Sequence, residues 1–280
     1  MDKENFLICP ICKTSLYRKD KSLICEKNHS YDFAKSGYIN LLNPGKMNNA
    51  RAGDSKEMIS ARTRFFESGC YEMIRQTLCE IISSLSPSVV VDAGCGEGYY
   101  TAKIGQEISG ADVIGFDMSK FGCEHGAKYC KNNGITNTSF AVSNIFDLPL
   151  SDGVADVIVN AFAPVADAEF SRILRMGGYL IVVSAGEKHL DGLKKVIYDE
   201  VYLNEPSEGE YPDFDLVRRE NISYSTTVYG KDTIWSLFQM TPYFHRTSLT
   251  DKAKLEQVDK VDTTVEVDFW IYKKIPHKMV

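Results

Sequence analysis

The sequence predicts an α/β protein: a mostly parallel, seven-stranded Rossmann-like sheet preceded by a small metal-binding domain. Three observations carry this. From residue 89 onward, short apolar β-branched runs alternate with segments of helical periodicity, which is how a parallel sheet covered by helices on both faces is written. The first of these runs, Val89-Val-Val-Asp92, passes into a loop with Gly94, Gly96 and Gly98 and then into a helix, the arrangement by which α/β proteins hold nucleotide-like ligands. Near the N-terminus, Cys9, Cys12, Cys25 and His29 fall in the spacing C-x2-C-x12-C-x3-H.

In chain order, the cysteine segment comes first. Two close ligand pairs joined by a short hairpin place three thiolates and an imidazole tetrahedrally around Zn²⁺, with no open position, so the site is structural rather than catalytic. Leu16-Tyr17 and Ser22-Leu23-Ile24 are the expected strands, turning at Lys19-Asp20-Lys21. So small a segment needs its metal to fold. Tyr17, Lys19, Lys21, Lys27 and Tyr31 mix charge with aromatic rings, as an RNA-binding face does, although a solvated surface can have the same composition. Tyr31–Leu42 alternates and is expected to pack on the knuckle. Asn43–Gly53 is rich in turn formers and reads as a mobile linker. A helix follows from Asp54, the N-cap candidate three residues before Glu57, and a second runs from about Tyr71 to Leu85.

In the α/β part, strands are expected near 89–92, 113–117, 138–143, 155–160 and 179–185, and helices near 98–108, 119–132, 166–174 and 189–203. The glycine spacing is G-x-G-x-G, and the dinucleotide pattern G-x-G-x-x-G fails at Tyr99, so the ligand need not carry a pyrophosphate. Asp117 ends the second strand 19 residues beyond Gly98, close to the spacing of about twenty expected for a ribose-binding carboxylate. Beyond residue 205 the pattern changes, and Asn221–Tyr229 and Thr263–Tyr272 read as antiparallel strands. Ligands bind such sheets at the carboxyl ends of the strands, which gathers Asp92–Tyr100, Asp117, Ser143–Asn144 and Asn160–Pro164 around one crevice.

With 44% hydrophobic and 25% charged residues the composition is that of an ordinary globular protein. No apolar run approaches the roughly 18 residues of a membrane helix, and the first residues lack a secretory signal, so a cytoplasmic protein is expected. Net charge is −6, but residues 1–60 hold 10 Lys+Arg against 7 Asp+Glu. A nucleic-acid partner would therefore meet a local patch, with the N-terminal segment the better placed.

The run Asp92-Ala-Gly-Cys-Gly-Glu-Gly98 resembles the first motif of S-adenosylmethionine-dependent methyltransferases. The cysteine knuckle, Gly37-Tyr-Ile-Asn-Leu-Leu42, Gly53-Asp-Ser-Lys-Glu-Met58, the glycine loop, Ala161-Phe-Ala-Pro164, Gly177-Gly178 and His189-Leu190 occur in this order. Together they resemble the RlmA family, bacterial 23S rRNA (guanine-N1)-methyltransferases acting on a hairpin loop, over nearly the whole chain and most weakly from about 205 to 262. The resemblance implies a zinc-binding, RNA-recognising domain over 1–42, a linker over 43–58 and a methyltransferase domain over 59–280. It implies S-adenosylmethionine as donor and Cys9, Cys12, Cys25 and His29 as zinc ligands. The cofactor would be held by Tyr71, Asp92, Gly94, Gly96, Glu97, Gly98, Tyr99, Tyr100, Asp117, Asn144 and His189. A homodimer is left open, and no membrane is involved. Subfamilies differ in which neighbouring guanine is modified, a choice that bears on resistance to macrolides such as tylosin.

The reaction so implied is attack of guanine N1 on the sulfonium methyl. N1 carries a proton in the neutral base and must lose it. Its place in the pairing edge hides it in a duplex, whereas a loop exposes it for stacking on aromatics. Tyr99, Tyr100 and Phe162 are candidates for that stack. His189 titrates in a suitable range for the base, and Asn160 is placed to hydrogen-bond the guanine edge. Two other readings remain: a methyltransferase of a small metabolite, and a zinc-knuckle RNA-binding protein with a vestigial cofactor site.

Overall fold

A computed structural model describes residues 6–43, 53–205 and 208–276. The linker expected over 43–53 lies, apart from its two ends, outside the described residues. The order of elements is β1 (Leu16–Lys19), β2 (Ser22–Cys25), β3 (Ser30–Asp32), β4 (Ile39–Asn40), α1 (Lys56–Glu67), α2 (Glu72–Ser84), β5 (Val89–Ala93), α3 (Tyr99–Glu107), β6 (Asp112–Asp117), α4 (Lys120–Asn132), β7 (Thr138–Val142), β8 (Ala155–Ala161), α5 (Asp167–Ile173), β9 (Leu174–Ala185), α6 (Asp191–Ile197), β10 (Phe214–Tyr229), α7 (Lys231–Gln239), α8 (Leu249–Leu255) and β11 (Lys260–Lys274).

The large sheet runs β10-β11-β9-β8-β5-β6-β7-β4. Strands β4 to β9 pair in parallel, while β11 runs antiparallel to both β9 and β10. The expected seven strands are present, and β4 adds an eighth beside β7. Strand order reverses at β5, so the crevice outside its carboxyl end is the switch point where such sheets take ligands.

The β-branched runs are buried because both faces of the sheet are covered. Alternate side chains of one strand enter different cores: Val90, Val113, Val157 and Ile181 face one cluster with α2, α3 and α7, and Val91, Ile114, Ile158 and Leu180 face the other. The second cluster also takes Leu7, Leu16, Leu23, Ile39 and Leu41 from the N-terminal segment. The metal-binding ribbon thus lies on the sheet and shares its core.

Several expectations are corrected in detail. Helix α1 is capped by Ser55, whose hydroxyl accepts from Met58 N at 3.3 Å, and not by Asp54, whose carboxylate is drawn to Arg62 at 2.8 Å. Helix α6 spans Asp191–Ile197 instead of 189–203: Lys254 Nζ takes the Ile197 carbonyl at 3.0 Å and Tyr198 leaves the helix to bond Thr247. Strand β10 starts at Phe214, ahead of the expected Asn221, because it finds a full-length partner in β11.

Candidate active site and zinc centre

In the ribbon, the hairpin β1–β2 turns through Asp20 at φ +54°, and β3 adds to it. This brings the two ligand pairs together: the ligand atoms of Cys9, Cys12, Cys25 and His29 all lie within 4.8 Å of one another. Cys25 Sγ is 3.3 Å from His29 Nδ1, Cys9 Sγ is 3.4 Å from it, and Cys12 Sγ is 3.6 Å from Cys25 Sγ. Ideal zinc bond lengths give tetrahedron edges of about 3.6–3.8 Å, so the residues fit Zn²⁺. The outer shell is present as well, with Tyr31 Oη 3.2 Å from Cys9 Sγ and Thr14 Oγ1 3.2 Å from Cys12 Sγ. The Thr14 contact holds the Cys12 thiol down to about 6, toward the thiolate a metal needs. Tyr31 is therefore turned into the zinc site, whereas Tyr17, Lys19, Lys21 and Lys27 are exposed. The ribbon docks beside the crevice: Ile8 N donates to Pro149 O at 2.9 Å and Lys13 pairs with Asp147 at 2.8 Å.

The crevice is a cavity of about 930 Å³ over the carboxyl ends of β5, β6, β8 and β9. Gly98, the residue before α3, has φ +82°, and a Cβ there would lie 2.8 Å from the Phe140 ring. Only glycine permits both the left-handed backbone and that approach of loop to sheet. At the β6 end of the cavity, Asp117 Oδ2 accepts from Gly96 N at 2.9 Å and Oδ1 from Ser119 N at 2.6 Å, which fixes the carboxylate in the cavity wall. Burial raises its pKa and these amides oppose the rise. Asn144 and Met118 border the same end. Beneath the loop, Glu97 is 5% exposed and is held by Arg62 Nε at 2.5 Å, while Arg62 Nη2 reaches Asp54.

At the other end of the loop, Tyr71, Phe162 and His189 form a wall of rings. Phe162 lies 6.4 Å from Tyr71 and 6.0 Å from His189 between centroids, with interplanar angles of 28° and 30°. Phe162 has φ +53°, an uncommon conformation for an aromatic residue, fixed by its N–H donating to Val183 O at 2.9 Å. Its ring is 45% exposed.

Of the residues expected to hold cofactor, Tyr71, Gly94, Gly96, Glu97, Tyr100, Asp117, Asn144 and His189 line the cavity. Asp92 lies behind the loop, fully buried, and accepts from Thr101 Oγ1 at 2.6 Å; burial pushes its carboxyl up to about 7. Tyr99 faces away, stacked on Phe66 at 3.9 Å with Arg75 over its ring, so it is not available to a substrate base. The two candidates for catalysis are also corrected. His189 Nδ1 accepts from Glu266 N at 3.3 Å, which assigns the proton to Nε2 and makes Tyr71 Oη the acceptor at 2.8 Å. Burial holds this imidazole down to about 4. It is neutral with no free lone pair, and so is not placed to be a base. Asn160 spends its amide on Ala93 O at 3.0 Å and Pro164 O at 3.1 Å. It fastens the Phe162 loop to the glycine loop and lies outside the cavity wall.

Residues 7–47 match the family described as RlmA, N-terminal, and residues 85–210 match a methyltransferase domain. The chain is 30% identical over 284 residues to the 23S rRNA (guanine(748)-N(1))-methyltransferase of Streptomyces fradiae, covering 97% of this chain and 98% of that protein. The chain belongs to the RlmA family of 23S rRNA (guanine-N1)-methyltransferases. A second relative, from Bacillus subtilis (strain 168), is named as a candidate 23S rRNA (guanine-N(1)-)-methyltransferase; it is 28% identical, with 95% and 96% of the two chains covered.

The charges of this RlmA-family cleft fit S-adenosylmethionine. Arg62 is neutralised by Glu97 and Asp54, and Asp117 adds a further negative charge, so the loop repels a pyrophosphate and suits a sulfonium. No sequence motif marks Arg62, Lys194, Asn204, residues 239–243 or His245, all of which border the cavity. They come from helices and a loop remote in sequence and match no fixed spacing. No helix among the described residues is long and apolar enough to cross a membrane.

Proposed function

We propose that this protein transfers a methyl group from S-adenosylmethionine to N1 of a guanine in a hairpin loop of 23S rRNA, in the cytoplasm, with the guanine extruded onto the Phe162 ring. The observation that carries this reading is the wall of Tyr71, Phe162 and His189 at the carboxyl end of β8, directly beyond the glycine loop. The half-exposed ring of Phe162 offers a flat apolar platform where a base entering from solvent can stack. Asp117 and Asn144 would hold the adenosine, and Gly94–Glu97 with Tyr71 and His189 the methionine part. The sulfonium supplies a methyl group that already carries its leaving group, so the chain's own residues act chiefly by alignment. Tyr71 and His189 lock one another through a buried hydrogen bond and keep Phe162 in its orientation. Arg62, through Glu97, fixes the loop against which the donor lies. The zinc ribbon, beside the Asn144 end of the cavity, presents Tyr17, Lys19, Lys21 and Lys27 to the phosphates flanking the flipped base.

The test is transfer of labelled methyl to unmodified 23S rRNA, with the product nucleoside identified and mapped. Recovery of 1-methylguanosine at a loop position supports the reading. Stacking one base on an aromatic ring is worth about 1–3 kcal/mol, so Phe162→Ala is expected to lower kcat/KM for RNA by tenfold or more, with donor affinity held. Unchanged kcat/KM for RNA in that variant would refute the stacking role.

A further inference from the structure

The cavity wall contains a buried cation to which the function proposed above gives no role. Lys194, on α6, is only 8% exposed, and it borders the cavity. Its neighbour Lys195 points outward and pairs with Asp191 at 2.6 Å. Lys194 instead turns inward, where its ammonium donates to Tyr202 O at 3.1 Å and to Asn204 Oδ1 at 2.6 Å. Both acceptors are neutral, and an ammonium has three donors. Among the described residues no carboxylate pairs with it. Asp191 is engaged by Lys195, Asp199 and Asp251 on the α8 side are engaged by Lys254, and His189 is neutral. Burial lowers its pKa, and the nearby charge of Asp191, itself paired with Lys195, only partly opposes this; a buried cation held directly by neutral groups alone is costly. Such a cation is suited to an anionic oxygen that arrives with a reactant.

The position of Lys194 narrows the choice of reactant. Asp117 at the end of β6 and the glycine loop at the end of β5 take the donor. Lys194, His189 and Asn204 follow β9, which lies two strands further along the sheet, about 10 Å at the usual strand spacing. The Phe162 ring stands between them, at the end of β8. Two anionic oxygens can reach that side: the carboxylate of a donor whose methionine part lies against His189, and O6 of an acceptor base stacked on Phe162. The second is the one taken here, and donor affinity separates the two.

We infer that Lys194 is a catalytic residue that binds O6 of the target guanine and stabilises the base in its N1-deprotonated form. The inference rests on the function proposed above. Loss of the N1 proton to water leaves a negative charge shared between N1 and O6. The Lys194 ammonium holds that charge at O6 and leaves the N1 lone pair free. N1 then bonds to the methyl carbon while the carbon–sulfur bond breaks, its electron pair going to sulfur. The products are 1-methylguanine, a neutral thioether and one proton in solvent. The scheme assigns no side chain as base, in keeping with the occupied lone pair of His189.

The experiment is single-turnover methyl transfer to a 23S rRNA transcript at saturating donor, from pH 6 to 9, for wild type, Lys194→Met and Lys194→Arg. Donor affinity is measured by calorimetry and folding by thermal melting. Losing one donor to a developing oxyanion typically costs about 10²–10³ in rate, so Lys194→Met is expected to be ~100-fold slow at pH 7. Its shortfall shrinks as pH rises and solvent alone generates more of the anion. Donor affinity stays within twofold, and Lys194→Arg regains most of the rate. Should the Met variant not fold, Lys194→Gln takes its place. The inference is overturned by parallel loss of donor affinity, which would assign the cation to the donor's carboxylate. A loss independent of pH would make Lys194 structural, and an unchanged rate would leave it no role. If wild type forms no 1-methylguanosine, it is the proposed function that fails.

Discussion

Replacing Arg62 by Ala tests how the cofactor loop is held. Glu97 is 5% exposed, and its carboxylate meets the Arg62 guanidinium at 2.5 Å. Burial raises the Glu97 pKa and Arg62 opposes that rise. Without Arg62 the carboxylate has two options. It stays charged and unpaired, which costs about 3–5 kcal/mol for a buried pair broken on one side. Or it takes a proton, which at pH 7 costs at most about 4 kcal/mol against an unfolded pKa near 4.3, at 1.36 kcal/mol per unit. The cheaper route sets the ceiling, so the loss is about 3–4 kcal/mol at pH 7. At pH 5 the same protonation costs only about 1 kcal/mol. For a chain of this size 1 kcal/mol moves Tm by about 2 °C. Arg62→Ala should therefore melt roughly 6–8 °C below wild type at pH 7 and about 2 °C below at pH 5. Adding Glu97→Gln should recover most of the difference, because the group left behind is then neutral. Differential melting of the three proteins at both pH values is the assay. A loss that is equal at pH 5 and 7, or one that Glu97→Gln does not relieve, would show that Arg62 matters for packing and not for the buried charge.

Other outcomes follow from single features. His189 is held neutral, with its pKa lowered from 6.5 to about 4. Its contribution is thus complete above about 6.5 and lost as pH falls through 4, a difference of about 3 kcal/mol; a His189→Gln protein should lose less stability than wild type on acidification, and parallel acid-unfolding curves would contradict this. Asp92 has the opposite sign. Its folded pKa of about 7 means the group favours the fold below pH 4 and costs up to about 4 kcal/mol above pH 7, so Asp92→Asn should flatten the alkaline fall in stability seen by urea titration at pH 6 and 8. Gly98→Ala combines a left-handed φ with a Cβ at 2.8 Å from Phe140; about 2–4 kcal/mol is expected from backbone and overpacking together, with donor affinity falling in calorimetry, and a loss under 1 kcal/mol would be inconsistent with the loop geometry. Stripping the metal should unfold the ribbon and expose Leu16 and Leu23, since structural zinc supplies most of the folding energy of such units. Limited proteolysis would then cut within residues 9–29, and resistance to cleavage after verified zinc loss would show that the ribbon folds without it.

Much of this protein is determined by sequence alone. The β-branched runs at 89–91, 113–114 and 157–159 could only be strands buried on both faces, because so little of each is polar. Gly94, Gly96 and Gly98 announced a loop that needs left-handed backbone, and Asp117 a carboxylate one strand away. The paired spacing of Cys9, Cys12, Cys25 and His29 specified a tetrahedral site, because local hairpin geometry alone brings such pairs together. These are short-range facts, set by turn geometry, side-chain period and ligand chemistry.

Only the tertiary structure decided the rest. The glycine loop looks the same in sequence whether its glutamate is solvated or buried against Arg62, 35 residues earlier. His189 reads as a titrating base until Glu266 N and Tyr71 Oη, from remote elements, occupy both its nitrogens. Tyr99 and Tyr100 are adjacent, yet only Tyr100 borders the cavity, since consecutive helical residues point about 100° apart. Lys194 and Lys195 are indistinguishable as letters; one is a buried cation in the cavity wall and the other a surface ion pair. Each of these depends on contacts between segments distant along the chain, and the free energy of a charge or lone pair is set by what the fold brings within a few ångströms of it.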